Sequence, residues 1–116
     1  MAGRFLPDTN ILIALFAGDA NVRTRFGRAR EIFISSIVIG ELYYGARKSG
    51  RVEANLGRVD ELAVGSVILN CDLETAQHYA IVKNNLKLAG HPIPENDIWI
   101  ASTALQHDLD INRHGY

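Results

Sequence analysis

The chemistry of this chain begins with its acidic residues. Most Asp and Glu side chains belong in water, so the informative ones sit among apolar neighbours. Asp8 stands directly after the apolar pair Phe5-Leu6 and Pro7, and just before the run from Ile11 to Ala17. Glu41 has Ile37 and Val38 before it and Tyr44 and Gly45 after it at helical spacing, all uncharged. Asp97 has Ile93 and Pro94 before it and Ile100 and Ala101 after it at the same spacings. A carboxylate on such a face is costly unless a cation or hydrogen-bond donors meet it. Gathered at one place, these acids repel one another unless a cation lies between them. Mg2+ or Mn2+ fits best, because hard divalent ions take oxygen ligands and keep several waters, so few carboxylates are needed. Singly, each acid has a plainer use: Asp8 as a turn and cap residue, Asp97 as a helix N-terminal charge, Glu41 as the buried partner of an Arg. Spacing alone leaves the reaction open.

The elements that must position these acids alternate short apolar runs with helical periods. Phe5-Leu6 ends a strand and Asn10–Ala17 forms a helix, with Asp8-Thr9-Asn10 at the turn between them. A second short helix covers Ala20–Arg28. Ile32-Phe33-Ile34 reads as a strand, and Ser35 or Ser36 caps a helix starting at Ile37 and ended by Gly50. Val52–Ala63 is helical, Val67–Leu69 is a strand, and Asp72 caps a helix through Leu88 that Gly90 closes. Pro94 suits the first position of a final helix, Glu95 to Gln106. Strands separated by helices imply a parallel sheet covered on both faces, and ligands of such folds gather beyond the strands' carboxyl ends. Asp8 and Ser35-Ser36 lie at two such ends.

At 116 residues the chain is long enough to bury a core without a disulfide or metal staple, and one domain over residues 1–116 is expected. With 47% hydrophobic and 22% charged residues, disorder and low-complexity architectures are excluded. The net charge of −1 gives no overall attraction to a polyanion, but it hides a pattern. Residues 21–60 carry eight basic and four acidic side chains, and residues 61–116 carry three and seven. A basic middle could hold phosphates while an acidic end holds a metal. Cys71 is the only cysteine and is expected to be a buried small residue; a reducing setting is implied. No apolar run is long enough to cross a membrane and no leader pattern opens the chain, so a cytoplasmic protein is expected.

Zinc is disfavoured, since His78, His91, His107 and His114 lack ligand-pair spacing. Glycine-rich phosphate loops, nucleophile elbows and Cys-x-x-Cys pairs are absent. Tyr43 and Tyr44, followed by Arg47, Lys48 and Arg51, offer stacking and phosphate contacts to single-stranded RNA. The same cations would equally suit a helix C-terminus, and one Tyr could be core.

Three segments together resemble a PIN domain, and specifically the VapC-type ribonuclease toxins of bacterial toxin–antitoxin pairs. They are Leu6-Pro7-Asp8-Thr9-Asn10-Ile11-Leu12-Ile13, Ser35-Ser36-Ile37-Val38-Ile39-Gly40-Glu41-Leu42-Tyr43-Tyr44-Gly45-Ala46 and Pro92-Ile93-Pro94-Glu95-Asn96-Asp97-Ile98-Trp99-Ile100-Ala101. The resemblance implies a three-layer α/β/α sandwich with a central parallel sheet and a Mg2+ or Mn2+ site that hydrolyses RNA. It places Asp8, Glu41 and Asp97 in the catalytic set, with Asp8 and Asp97 holding the metal most directly. Thr9 and Asn10 would hydrogen-bond the cluster, and Glu95 would be a secondary acid. A cognate antitoxin inserting a segment beside the site and a homodimer are the implied partners, with Tyr43, Arg47 and Val52–Ala63 as the candidate contact surface.

The chain departs from the family pattern twice. Pro7 replaces the apolar residue usual before the first acid, which removes a ladder donor at a strand's last position. The C-terminal part reads as shortened, weakening the sheet edge. Asn112 stands where a fourth acid is usual, with His114 matching the family His and Asp108 or Asp110 able to substitute only if the loop shifts. An amide ligates through its oxygen but brings no charge, so metal affinity falls. A competing function is therefore a PIN domain that binds antitoxin or RNA but cuts poorly. A phosphatase with Asp8 as nucleophile is disfavoured, because Asn10 stands where such enzymes need a second Asp.

Overall fold

In the computed structural model, which describes residues 4–29 and 31–112, each strand hands directly into a capped helix. Strand β1 (Phe5–Pro7) ends at Asp8, whose carboxylate accepts the Ile11 N–H at 3.0 Å and starts helix α1 (Thr9–Phe16). Because Asp8 supplies the cap, α1 begins one residue before the Asn10 expected from sequence. A turn at Gly18, with φ of +84°, leads to α2 (Ala20–Arg28), capped by Asp19. Strand β2 lies at Phe33–Ser35, one residue later than expected. Ser35 is both its last residue and the cap of α3 (Ser36–Arg47), accepting the Ile37 N–H at 3.1 Å.

Helix α4 (Val52–Val64) and strand β3 (Val67–Leu69) follow, and then α5 (Leu73–Ala89). A reciprocal capping box between Asp72 and Thr75 opens α5, and Gly90, in the left-handed region at φ 72°, closes it. Helix α6 is Glu95–Gln106. Pro94 is its cap residue and not its first helical residue, since its extended ψ of 145° precedes the helix while its carbonyl accepts the Ile98 N–H.

The C-terminal segment departs from expectation. The sheet edge is not lost, because Asp110–Asn112 forms β4, parallel to β1, with Pro7 opposite Asn112. Asp108, at φ 54°, turns the chain out of α6, and the buried Leu109 anchors the strand's approach. His114 lies outside the described residues.

Ladder bonding divides the strands into two parallel pairs, β1 with β4 and β2 with β3. Strand β1 also lies against β2, giving the spatial order β3-β2-β1-β4. The Arg4 guanidinium sits 5.6 Å from the centre of the Phe33 ring, so the two inner strands start side by side. Leu6 and Ile34 of these strands, Ile11 and Leu12 of α1 and Val38 of α3 are fully buried. Each such side chain contributes about 1.5–3 kcal/mol on burial. The architecture is the α/β sandwich expected, and its best-packed part lies directly beneath Asp8.

Helix α5 contrasts with this core. Thr75 is its one buried residue among those described, and Leu73, Ile81 and Leu88 are exposed. It rests on α6 through Tyr79, whose ring stacks on Trp99 at 4.1 Å. No described helix is long and apolar enough to cross a membrane.

Candidate active site

The buried Leu6 and Pro7 carry Asp8 to the end of β1, where it is half-buried and already accepts one helix N–H. Glu41 lies mid-way along α3, beside the buried Leu42 and one turn from the buried Val38, and is also half-buried. The Thr9 hydroxyl donates to its Oε1 at 2.5 Å, and the Asn96 side-chain amide donates to Oε2 at 3.5 Å. Glu41 is therefore held from α1 on one oxygen and from α6 on the other. Those two donors are the immediate chain neighbours of Asp8 and Asp97. The hydrogen bonds bring together the three segments that the sequence singled out.

Among the described residues no Arg pairs with Glu41. Among the described residues the ion pair is Lys83 with Glu95, and neither Asp8, Glu41 nor Asp97 has a cationic partner. Asp97 differs from expectation in its surroundings: it is exposed in the first turn of α6, where the helix dipole favours its charge, and Ile98 and Ile100 take the buried positions. Among the described residues no three His, Cys, Asp or Glu side chains close into a metal cage. The donor set nevertheless suits a hard cation. It is all oxygen, and among the described residues the half-buried Glu41 has no counter-charge and Asp97 makes no hydrogen bond. Mg2+ keeps most of its waters, so one or two carboxylates in contact suffice.

Glu95 goes elsewhere. It accepts from the Tyr79 hydroxyl and pairs with Lys83 at 3.1 Å, both on α5. The Tyr79 hydrogen bond and then the Lys83 contacts hold its carboxyl below the usual range, while Tyr79 and Glu95 raise the Lys83 ammonium. These bonds fasten α6 to α5. Asn10 is exposed and makes no hydrogen bond to the acids. The backbone of Asn112 lies opposite Pro7, one residue from Asp8, and its side chain lies outside what the structure describes. Asn96 is the residue that sequence reasoning missed. Its place beside Asp97 in the third segment was the available signal.

A groove of about 390 Å³ runs from Thr9 and Glu41 between α1, α3 and α4, walled by Ile13, Phe16, Leu42 and Val59. At its far end the Arg58 guanidinium donates to the Phe16 carbonyl and lies 4.7 Å from the centre of the Phe16 ring. Tyr43 faces α4, where its hydroxyl donates to Asp60, and that bond raises its pKa above the ordinary value. Tyr44 is exposed. Cys71 is exposed in the link between β3 and α5 and not buried as expected, because that link is carried outside the core.

Comparison with known proteins identifies the family and the fold. The PIN domain matches residues 5–111. Ribonuclease VapC2 of Haemophilus influenzae is 34% identical over 108 residues, covering 91% of this chain and 82% of that protein. The tRNA(fMet)-specific endonuclease VapC of Shigella flexneri is 34% identical over 110 residues, covering 93% and 83%. Among solved structures, VapBC-1 from nontypeable Haemophilus influenzae superposes with a TM-score of 0.85 at 29% identity, over 96% of this chain and 86% of that one. With the fold, the three acidic segments and these relatives in agreement, the chain belongs to the PIN domain family, in its VapC group.

Proposed function

We propose that this protein is the Mg2+- or Mn2+-dependent endoribonuclease toxin of a toxin–antitoxin pair, acting in the cytoplasm on RNA phosphodiester bonds. One observation carries the proposal: Glu41 is half-buried, has no counter-cation among the described residues and is gripped by the neighbours of Asp8 and Asp97. The names of the relatives, ribonucleases and a tRNA(fMet)-specific endonuclease, support the reaction. Asp8 and Asp97 would hold the cation, and Glu41 would act on it directly or through water. Bound there, a divalent ion would acidify a water for attack on phosphorus and offset charge on the leaving oxygen. Thr9 and Asn96 keep the Glu41 carboxylate in one orientation, so it needs no rearrangement when charge develops. The Asp8 cap fixes that residue against the end of β1.

A similar solved structure from Klebsiella pneumoniae, 26% identical with a TM-score of 0.74, is a toxin–antitoxin complex, and the apolar groove beside Glu41 suits an apolar segment of such an antitoxin. A homodimer belongs to the same proposal. The direct test is cleavage of a tRNA pool by purified protein with Mg2+ or Mn2+. Cleavage that persists in chelator, or in Asp97→Asn, would falsify the mechanism. A second reading rests on Asn112, an amide in the strand beside Asp8: a domain that binds antitoxin or RNA but cuts poorly. It requires weak Mn2+ binding by calorimetry, with Asn112→Asp restoring both affinity and cleavage.

A further inference from the structure

We infer that Tyr44 and Lys48 form a subsite for single-stranded RNA beside Glu41, with the Tyr44 ring stacking on a base and the Lys48 ammonium meeting the adjoining phosphate. Tyr44 is 66% exposed, an unusual state for so large a ring, and the Lys48 Nζ lies 4.8 Å from its centre. Both belong to the helix that carries Glu41, or to its cap. With a rise of about 1.5 Å and a turn of about 100° per residue, Tyr44 lies about 4.5 Å and Lys48 about 10.5 Å along the axis from Glu41, both within about 60° of its direction. A strand held on this line passes the catalytic carboxylate.

The two flanks of Glu41 differ in character. Gly45 and Ala46 line the apolar groove, whereas Tyr44 does not. At the end of α3 stand Arg47 and Lys48, with Arg51 at the start of α4, all exposed and in no ion pair among the described residues. Tyr43 is not part of this surface, because its hydroxyl is committed to Asp60. An exposed ring with unneutralised cations suits a polyanion carrying flat bases better than it suits a peptide. The inference rests on the ribonuclease proposal for the identity of the ligand, but binding can be measured without cleavage.

The test is fluorescence anisotropy of the full-length protein with a labelled, mixed-sequence single-stranded RNA decamer in chelator. Tyr44→Ala is expected to weaken binding about tenfold, with Tyr44→Phe close to wild type. Lys48→Ala should weaken it several-fold and reduce the slope of log affinity against log salt by about 0.7. Circular dichroism should show both alanine variants folded, since neither side chain is in the core. Wild-type binding indifferent to both substitutions, or no wild-type binding, would overturn the subsite. Loss of dimer or antitoxin association with RNA affinity unchanged would overturn it too, assigning the pair to a protein interface. Failure of the ribonuclease proposal has a separate signature: RNA bound through Tyr44 and Lys48 but left uncut when Mg2+ or Mn2+ is supplied.

Discussion

Thr9 donates its hydroxyl hydrogen to Glu41 Oε1 across 2.5 Å, tying the first residue of α1 to the middle of α3 over 32 positions of chain. The bond joins a residue whose neighbour caps the helix to a carboxylate with no cationic partner among the described residues. Its loss would leave one oxygen of a half-buried anion without a donor.

Thr9→Val, which keeps the shape and removes the hydroxyl, should therefore destabilise the fold by about 1.5 kcal/mol in urea unfolding, the lower end of the range for hydrogen bonds to charged groups, because Glu41 is only half-buried. RNA cleavage should fall by about tenfold or more, with Thr9→Ser largely restoring both. A Thr9→Val protein that cuts at the wild-type rate would show that Glu41 does not depend on this donor.

Asp97→Asn should separate chemistry from folding. The residue is exposed and makes no hydrogen bond among the described residues, so only its favourable place at the helix N-terminus is lost and unfolding free energy should fall by about 0.3–1 kcal/mol. Calorimetric Mn2+ binding and Mn2+-dependent RNA cleavage should both be lost.

The Glu95–Lys83 pair sets a pH window for the α5–α6 contact. Glu95 is depressed, first by the Tyr79 hydrogen bond, so its contribution is present above its unfolded pKa of about 4.3 and lost as pH falls through the lower folded value. Lys83 is raised, first by Tyr79, so its contribution is present below about 10.4 and lost as pH rises through the higher folded value. Trp99 fluorescence, reporting the stack on Tyr79, should change at both limits. Glu95→Gln should remove the acid limb, and added salt should weaken both because the pair is exposed. Cleavage should survive Glu95→Gln, unlike Asp97→Asn.

Thr75→Val tests how α5 is attached. Thr75 is fully buried, closes the capping box with Asp72 and donates to Gln106 of α6. Removing the hydroxyl should cost about 1 kcal/mol in thermal unfolding and expose Trp99 to quenchers before the rest of the chain unfolds. Quenching that rises only with global unfolding would show that α5 is not separately attached.

How legible all this was differs from residue to residue. Helices with a Ser, Asp or Gly at an end could be read to within a residue or two, because caps are local chemistry: Asp72 and Gly90 bound α5 as expected. Strand β4 could not, since Asp110–Asn112 has little strand character of its own and exists through pairing with β1. Glu41 could be found from its uncharged neighbours, yet its two donors come from residues 32 and 55 positions away. The contacts of Glu95 were hidden for the same reason. Its partners Tyr79 and Lys83 lie on another helix, and standing two residues from Asp97 does not fix which way a side chain turns.

Pro7 has a consequence for the precision of the site. It is the last paired residue of β1, opposite Asn112. A one-residue slip of β1 along β4 would turn the buried Leu6 outward, and a slip that drew Asp8 into the ladder would put a residue without an N–H inside it. Proline thus works as a mechanical stop. It sets where the strand ends, and so fixes the axial position of Asp8 to better than the length of one residue.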